Sequence, residues 1–343
     1  MSAIQEVVPE GISNPPVIDA VPKKAMALGP TASLIILALL LVTPLLVKNF
    51  IIFQLTTVLI TAIAVLALNI LTGGSGQFSL GQSAFYALGA YTSAILMEHA
   101  GINYALTLPI AGVISFAAGF LFGQPALRLS GVYLALATFA LATATPQLLK
   151  LGVFEYWTGG VQGLVVDKPD APFGLPLSQD MWLYYFTLLI SIGIYLASVN
   201  LLKSRSGRAM MAIRDNEIAA SAMGVDVALY KTLAFGVSAG ITGVAGGLGA
   251  IAVQFVAPDS FTITLAIQLF LGMVVGGVGW LPGSLIGAVF VVFVPNIAEN
   301  VSKGLSGAVF GAILIVVIFV VPHGARQLAE GAQLLIGKLR KTR

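Results

Sequence analysis

The sequence predicts an all-α fold, a polytopic bundle of about ten membrane-spanning helices (eight to ten) with both termini on the cytoplasmic side. Charged residues make up only 9% of the 343 residues, against roughly 25% in a typical soluble domain. The apolar stretches run to about twenty residues, which is the length a helix needs to cross about 30 Å of hydrocarbon. The alternating ten-residue segments of an outer-membrane barrel are missing. This composition excludes a soluble enzyme, a disordered chain and a nucleic-acid-binding protein.

Apolar runs between charges and turn residues define ten candidate spans. They are roughly Ala27–Val47, Phe50–Leu71, Phe78–Met97, Tyr104–Phe122, Val132–Leu149, Trp182–Leu202, Thr232–Val256, Phe261–Val278, Ser284–Ala298 and Gly307–Val321. The third begins within a stretch rich in Gly, Ser and Gln, which makes it a candidate for a discontinuous span. The ninth is short and contains Pro295, which predicts a broken or partial span.

The basic residues predict the orientation of these spans. With the N-terminus inside, thirteen of the 17 Lys and Arg residues fall on the inner side and four on the outer side. The inner set is Lys23, Lys24, Arg128, Lys203, Arg205, Arg208, Arg214, Lys231, Arg326, Lys338, Arg340, Lys341 and Arg343, and the outer set is Lys48, Lys150, Lys168 and Lys303. Because cytoplasmic loops carry an excess of Lys and Arg, both termini are predicted to be cytoplasmic.

The chain divides into a transmembrane domain, residues 25–322, and two tails. Residues 1–24 are a polar tail without the apolar core of a secretory signal, and we expect them to be flexible and cytoplasmic. Residues 323–343 form a basic cytoplasmic tail, whose composition favours an anchor at the anionic lipids of the inner leaflet. Two connections are too long to be simple turns, the outer loop 150–181 and the cytoplasmic segment 203–231.

The segment 203–231 has a helical composition with a predicted interruption. The pair Asp215-Asn216 offers a break or an N-cap between two short helices. Gly224 is predicted to end the second helix in the left-handed conformation, and Asp226 to cap the next span. A short helix with a mixed apolar and charged surface on the cytoplasmic face favours a docking element. The alternative is an amphipathic helix that lies on lipid headgroups.

Sequence motifs in this segment and elsewhere carry a family resemblance. Ala219-Ala220-x-x-x-Gly224 resembles the EAA loop by which bacterial ABC-importer permeases engage their ATPase subunits, although Ile218 stands where that loop usually has Glu and the acid is Glu217. The other motifs are Gly207-Arg208-Ala209, Ala212-Ile213-Arg214, Gly224-Val225, Tyr230-Lys231, Asn69-Ile70-Leu71-Thr72-Gly73-Gly74-x-Gly76-Gln77-x-Ser79-Leu80-Gly81-Gln82, Gly89-Ala90-Tyr91, Thr158-Gly159-Gly160-x-x-Gly163-Leu164 and Gly276-Gly277-x-Gly279. Together they extend from about residue 50 to residue 321. On these motifs the chain resembles the branched-chain amino acid ABC transporter permease family, and within it the LivM-type membrane subunit.

The resemblance implies a permease subunit of an ATP-driven importer in the bacterial cytoplasmic (inner) membrane. The expected substrates are branched-chain amino acids or related small polar solutes, and relatives that import urea, amides or aromatic acids leave the exact substrate open. The expected partners are a second homologous permease subunit, two ATPase subunits and an extracytoplasmic solute-binding protein. The chain itself is not expected to be an enzyme or to hold a cofactor, because ATP-Mg belongs to the ATPase subunits.

The resemblance also implies roles for individual residues. Eight are expected to couple the spans to the ATPase: Gly207, Arg208, Arg214, Asp215, Glu217, Ala219, Ala220 and Gly224. Of these, the small side chains of Ala219 and Ala220 are expected to face the ATPase groove. In the outer loop, five residues are candidates for contact with the binding protein: Thr158, Gly159, Gly160, Asp167 and Asp170.

Four glycines between residues 73 and 81 make an uninterrupted helix costly there, by about 1 kcal/mol each relative to Ala. Irregular backbone at membrane depth requires burial in protein or a wet cavity. The candidates to line a translocation path are Gly73, Gly74, Gly76, Gln77, Ser79, Gly81 and Gln82. Close helix packing through small residues is an equally good interpretation. A related spacing at Gly276, Gly277 and Gly279 hints at an internal repeat.

Several other chemistries are excluded by what the sequence lacks. There is no phosphate-binding loop with its Lys and Ser or Thr, so the chain is not expected to bind ATP itself. The two histidines fall on opposite faces of the predicted topology and cannot share a metal ion, so no metal site is predicted. Asp, Glu, Lys, Arg and His are confined to the ends of the predicted spans. An ion-coupled secondary transporter, the alternative function, usually needs such a residue at depth.

Overall fold

A computed structural model describes residues 30–126, 129, 131–172 and 177–301, together with isolated positions between 311 and 327. The helices are α1 (Pro30–Leu46), α2 (Asn49–Asn69), α3 (Gln82–Glu98), α4 (Tyr104–Ala126), α5 (Val132–Leu149), α6 (Glu155–Thr158), α7 (Gln179–Lys203), α8 (Arg205–Asp215), α9 (Glu217–Ala222), α10 (Val227–Val253), α11 (Ile263–Gly276) and α12 (Gly283–Val301). A π-turn, Ile70–Gly74, follows α2, and a 3₁₀ turn, Pro258–Phe261, precedes α11. Strands β1 (Leu164–Val165) and β2 (Phe255–Val256) form one short antiparallel pair.

Each of the first nine predicted spans overlaps one of these helices. Within the described residues, six helices are long and apolar enough to cross a membrane: Asn49–Gly74, Tyr104–Pro125, Val132–Leu149, Gln179–Lys203, Val227–Val253 and Pro258–Gly276. Two shorter apolar helices, Ser33–Leu46 and Gly283–Glu299, coincide with the first and ninth predicted spans. The chain is therefore an all-α polytopic protein, as predicted. Residues 1–24, Arg128, most of the tenth span Gly307–Val321 and most of the tail 323–343 lie outside the described residues.

Two spans that were expected to be irregular behave differently from each other. The third predicted span is helical only from Gln82, and residues 77–81 before it are not helical. The ninth was predicted to be broken or partial. Its helix α12 continues through Pro295, so the predicted break was wrong, but the apolar helix is short, Gly283–Glu299. Helices in apolar surroundings tolerate proline where packed neighbours support the freed backbone groups.

Helix α10 is the centre of the bundle, and it packs against α4, α3 and α2. Glycine allows these helices to approach closely. A Cβ added at Gly89 of α3 would lie 2.0 Å from the carbonyl oxygen of Gly243, and one added at Gly119 of α4 would lie 2.3 Å from Cβ of Ala239. Small residues are the usual basis of helix association in membranes, since burial against lipid tails supplies no hydrophobic driving force.

Helix α2 packs against α10 and also against α7, α11 and α12. Here α11 and α12 form a close hairpin, in which a Cβ at Gly287 would lie 1.9 Å from the carbonyl oxygen of Gly272. The fold thus places the two long connections at opposite ends of the bundle. Helix α7 runs from residue 179, beside the loop that contains β1, to residue 203, two residues before α8 begins. Helix α10 then returns the chain to β2, which pairs with β1.

Candidate functional site

Helix α8 lies across the end of α7, and its first turn determines this position. The Ser204 side chain caps α8 by accepting a hydrogen bond from the backbone N–H of Gly207 at 3.2 Å. Gly207 contacts the end of α7 so closely that an added Cβ would lie 2.3 Å from the carbonyl oxygen of Leu201. Met210 and Ile213 point into the bundle and are buried. A hydrophobic face and one glycine therefore hold α8 against the membrane-spanning helices.

The predicted interruption between two short helices is confirmed at Asn216. Its side chain caps α9 by accepting a hydrogen bond from the N–H of Ala219 at 3.0 Å. After α9, Gly224 adopts φ +81°, the left-handed conformation that the sequence predicts. Asp226 then caps α10 by accepting a hydrogen bond from the N–H of Leu229 at 3.0 Å. Side-chain caps at both α9 and α10 fix where each helix begins.

The outward face of α9 differs from the expected one. Ile218 is 83% exposed and Met223 is 85% exposed, and Ala219 is exposed beside them. Ala220 is only 5% exposed, so the expectation that it faces outward was wrong. The physical reason is helical geometry, because residues two apart lie about 200° apart around an α-helix. When Ile218 faces outward, Ala220 must face the bundle.

Two ion pairs lie at this end of the molecule. Lys231 of α10 pairs with Glu217 of α9, with 2.6 Å between Nζ and Oε2. Arg214, in the last turn of α8, pairs with its neighbour Asp215 at 2.7 Å. Arg208 is exposed and donates to the carbonyl oxygen of Lys203 within the same segment. The Lys231 pair thus connects α9 to α10, and the Arg208 bond is local.

The glycine-rich stretch after α2 lies directly beside α8. Gly73, Gly74, Gln77, Ser79, Gly81 and Gln82 are buried, and Gly76 is exposed. Gln82 connects two helices, since it donates to the Ser238 hydroxyl at 2.9 Å and accepts from the Thr242 hydroxyl at 2.7 Å. For Gln82, the structure therefore shows a polar contact between α3 and α10.

A cleft of about 260 Å³ lies between this stretch and the α8–α9 segment. Gly76 and Gln77 border it, and so do Arg214, Glu217 and Lys231. Gln77 donates to the carbonyl oxygen of Lys231 at 3.1 Å. The cleft thus brings together two regions that are more than 130 residues apart in sequence, the coupling candidates and part of the path candidates.

Sequence reasoning missed the role of Asn69. This buried side chain donates to the carbonyl oxygens of Gly277 and Trp280, at 3.3 and 3.1 Å, and accepts from the N–H of Gly279 at 2.7 Å. The two similar glycine motifs therefore contact each other through Asn69 and Gly73. The available signal was an amide residue within an otherwise apolar span, which requires internal hydrogen bonds at such a depth.

At the opposite end, the motif Thr158-Gly159-Gly160 forms a compact turn. The Thr158 hydroxyl is buried and donates to the carbonyl oxygens of Leu149 and Phe154, both at 3.0 Å. A Cβ at Gly159 would lie 2.0 Å from the carbonyl oxygen of Gly163. Gly160 is also buried, whereas Asp167 and Asp170 are exposed. Of the five candidate contact residues, the two carboxylates are the accessible ones.

The match to a protein family decides what kind of protein this is. Residues 50–318 match the family described as "Branched-chain amino acid transport system / permease component". The chain belongs to this family. The branched-chain amino acid permease family comprises membrane permease components, and its members are inner-membrane proteins. The matched range contains every coupling and path candidate described above.

Individual relatives agree with the family. The "high-affinity branched-chain amino acid transport system permease protein LivM" of Salmonella typhimurium is 33% identical over 271 residues, which is 72% of this chain and 63% of that protein. The "probable branched-chain amino acid transport permease protein LivH" of Methanocaldococcus jannaschii is 25% identical over 71% of this chain and 81% of its own length. The "autoinducer 2 import system permease protein LsrC" of Salmonella typhi is 27% identical over 57% of each chain. The chain thus spans just under two thirds of the LivM relative. No solved structure matches it.

Proposed function

We propose that this chain is a transmembrane permease subunit of an ATP-driven importer for branched-chain amino acids or related small polar solutes. In the proposed assembly it pairs with a second homologous permease subunit, two ATPase subunits and an extracytoplasmic solute-binding protein. The ATPase subunits hold ATP-Mg, and this chain contributes the spans and the segment that responds to ATP. The proposal is supported by the family and by LivM and LivH relatives that are named as branched-chain amino acid permeases.

The surface of α9 is the observation that carries the proposal. Two large apolar side chains are exposed here, Ile218 on α9 and Met223 directly after it, and α9 is capped and anchored to the bundle. Insertion of such a helix into an apolar groove is a common mode of protein recognition. We propose that Ile218, Ala219 and Met223 contact an ATPase subunit, and that Ala220, Gly207 and Gly224 keep α9 in position.

The orientation in the membrane is part of the proposal. With ten spans, the thirteen-to-four distribution of Lys and Arg puts the α8–α9 end of the bundle in the cytoplasm together with both termini. The loop with Asp167 and Asp170 is then extracytoplasmic. We propose that these carboxylates meet the binding protein and that the turn at Thr158-Gly159-Gly160 holds the loop in place.

The glycine-rich stretch is proposed to act at the cytoplasmic end of the path. Gly76 and Gln77 border the cleft and are the candidates to contact a passing solute. Gly73, Gly74, Ser79, Gly81 and Gln82 are buried behind them. There the glycines allow close packing, and the side chains of Ser79 and Gln82 make hydrogen bonds that support the interrupted helix. In an importer of this design the binding protein selects the substrate, so the path itself needs no buried charge.

A direct test is to purify the complete transporter with exposed residues of α9 replaced. Ile218→Lys and Met223→Lys are expected to leave this chain in the membrane, because neither side chain packs inside it. Both are expected to remove the ATPase subunits from the purified complex and to abolish ATP-dependent uptake into vesicles. Val153→Lys is the matched control, since Val153 is 84% exposed at the opposite end of the bundle. Retention of the ATPase subunits by both α9 variants would contradict the docking role.

The same vesicles separate the alternative functions. Uptake that follows an ion gradient without ATP or ATPase subunits would identify an ion-coupled secondary transporter and reject the ABC assignment. Competition among leucine, urea, short amides and aromatic acids for the binding protein would define the substrate class. The LsrC relative, an autoinducer 2 permease by name, makes autoinducer 2 a further competitor to include.

A further inference from the structure

Arg214 makes a contact that its place in a surface segment would not suggest. Its side chain turns inward from the last turn of α8 and is 22% exposed. Nη1 donates a hydrogen bond of 2.7 Å to the carbonyl oxygen of Gly73, in the π-turn at the end of α2. Nε and Nη2 donate to Oδ1 of Asp215 at 2.9 and 2.7 Å. One planar guanidinium group therefore binds α8 and the interrupted helix at the same time.

The backbone at Gly76, three residues beyond Gly73, also packs closely against Arg214. Gly76 has φ +74°, where a side chain would be strained, and its added Cβ would lie 3.0 Å from Cγ of Arg214. The same Cβ would lie 3.4 Å from Cα of Arg214. The interruption after α2 thus contacts α8 through both a hydrogen bond and close packing.

The other side of Gly73 faces the second interruption. Its added Cβ would lie 2.5 Å from the backbone nitrogen of Gly279 and 2.7 Å from Oδ1 of Asn69. Asn69 itself binds Gly277, Gly279 and Trp280. A single residue, Gly73, therefore lies between α8 on one side and the break between α11 and α12 on the other.

We infer that Arg214 is a positioning residue that makes the α8–α9 segment move as one unit with both helix interruptions. When the ATPase subunits displace α9, the guanidinium group carries Gly73 along, and the Asn69 contacts carry the turn at residues 277–280. Packed contacts of this kind have discrete arrangements and transmit displacements instead of absorbing them. The inference rests on the proposed function, since it requires ATPase subunits that act on α9.

The test measures coupling in the complete reconstituted transporter. Arg214→Gln is expected to retain the ATPase subunits, because Arg214 binds within its own chain. ATP hydrolysis should continue, while the amount of solute imported per ATP falls about tenfold, within the range typical of coupling between sites. Arg214→Lys keeps the charge without the planar fork and is expected to give an intermediate ratio. Arg205→Gln is the matched control, because Arg205 is exposed on the same helix.

A distance measurement distinguishes coupling from a merely structural role. This chain has no cysteine, so Arg205→Cys and Val278→Cys are its only labelling sites, and spin labels there report on α8 and on the second interruption. With Arg214 present, the distance between the labels is expected to stay the same with and without bound ATP. With Arg214→Gln, the distribution of distances between the two labels is expected to broaden, or its mean is expected to change when ATP binds.

Three results would overturn the inference. They are an unchanged ratio of solute to ATP in Arg214→Gln, loss of the ATPase subunits from that variant, and a label distance that changes with ATP in the presence of Arg214. If Arg214→Gln does not accumulate, Arg214→Lys is measured in the same way, and wild-type coupling there would overturn the inference. A transporter with Arg214 that shows no ATP-dependent uptake would instead reject the proposed function.

Discussion

Oδ1 of Asn69 accepts a 2.7 Å hydrogen bond from the backbone N–H of Gly279, which lies 210 residues later in the chain. The same side chain donates to two carbonyl oxygens of the turn that separates α11 from α12. It thereby satisfies three backbone groups in a turn where the regular helical hydrogen bonds end. The contact connects the two glycine-rich interruptions to each other.

Removal of the Asn69 side chain should therefore be costly. Asn69→Ala leaves the turn's N–H and carbonyl groups without their partner inside the bundle, and we expect it to lower the free energy of unfolding by roughly 2–3 kcal/mol. Asn296→Ala is the control, because Asn296 is exposed and its side chain donates to the carbonyl oxygen of Val292 in its own helix. Thermal unfolding of both purified variants in detergent measures the difference. Equal midpoints would show that the Asn69 bonds contribute nothing net.

Gly73 should accept no side chain. An added Cβ at 2.5 Å from the nitrogen of Gly279 requires the two interruptions to move apart, and overpacking of this kind costs about 1–3 kcal/mol. Gly193 in α7 is the matched control, since its added Cβ meets nothing within 4 Å. There, Ala is expected to stabilise the helix by up to about 1 kcal/mol. Opposite shifts in the thermal midpoint are the expected result, and a stable Gly73→Ala variant would contradict the close packing.

Glycine is required at position 224 because of the backbone conformation there, and not because a side chain would clash with a neighbour. An added Cβ meets nothing within 4 Å, yet φ is +81°. Gly224→Ala is expected to cost about 1 kcal/mol and to shift the end of α9, and Gly224→Val should have a larger effect. Asn tolerates the left-handed conformation better, so Gly224→Asn should largely restore function. The measurement is ligand-stimulated ATP hydrolysis in the assembled transporter. Full activity of Gly224→Val would show that the end of α9 does not matter.

The turn at the opposite end depends on Gly163. Its added Cβ would lie 2.4 Å from the carbonyl oxygen of Val256, so Gly163→Ala is expected to separate β1 from β2. The outer loop should then become more sensitive to protease, and uptake should fall through weaker docking of the binding protein. Gly152→Ala, in the same loop with open space around it, should behave like the unmodified protein. If the two variants are cleaved at equal rates, the strand pair does not hold the loop.

The proposed topology makes a separate prediction. Reporter fusions at Asp170 should be extracytoplasmic, and fusions at Asp215 and Lys341 should be cytoplasmic, because most Lys and Arg residues fall on one side. The structure already places Asp170 and Asp215 in connections at opposite ends of α7. A fusion result with Asp170 and Asp215 on the same side would reject the ten-span topology.

Sequence patterns were enough to predict the all-α polytopic fold, the helix break at Asn216, the left-handed Gly224 and the cap at Asp226. These features depend on composition and on residues within a few positions of each other, which is why pattern reasoning reached them. The tertiary structure alone decided that Ala220 faces inward, that α12 continues through Pro295, and that Arg214 and Asn69 bind backbone groups more than 130 residues away. Such contacts depend on which helices become neighbours, and this is fixed by packing between distant glycines that no local pattern specifies.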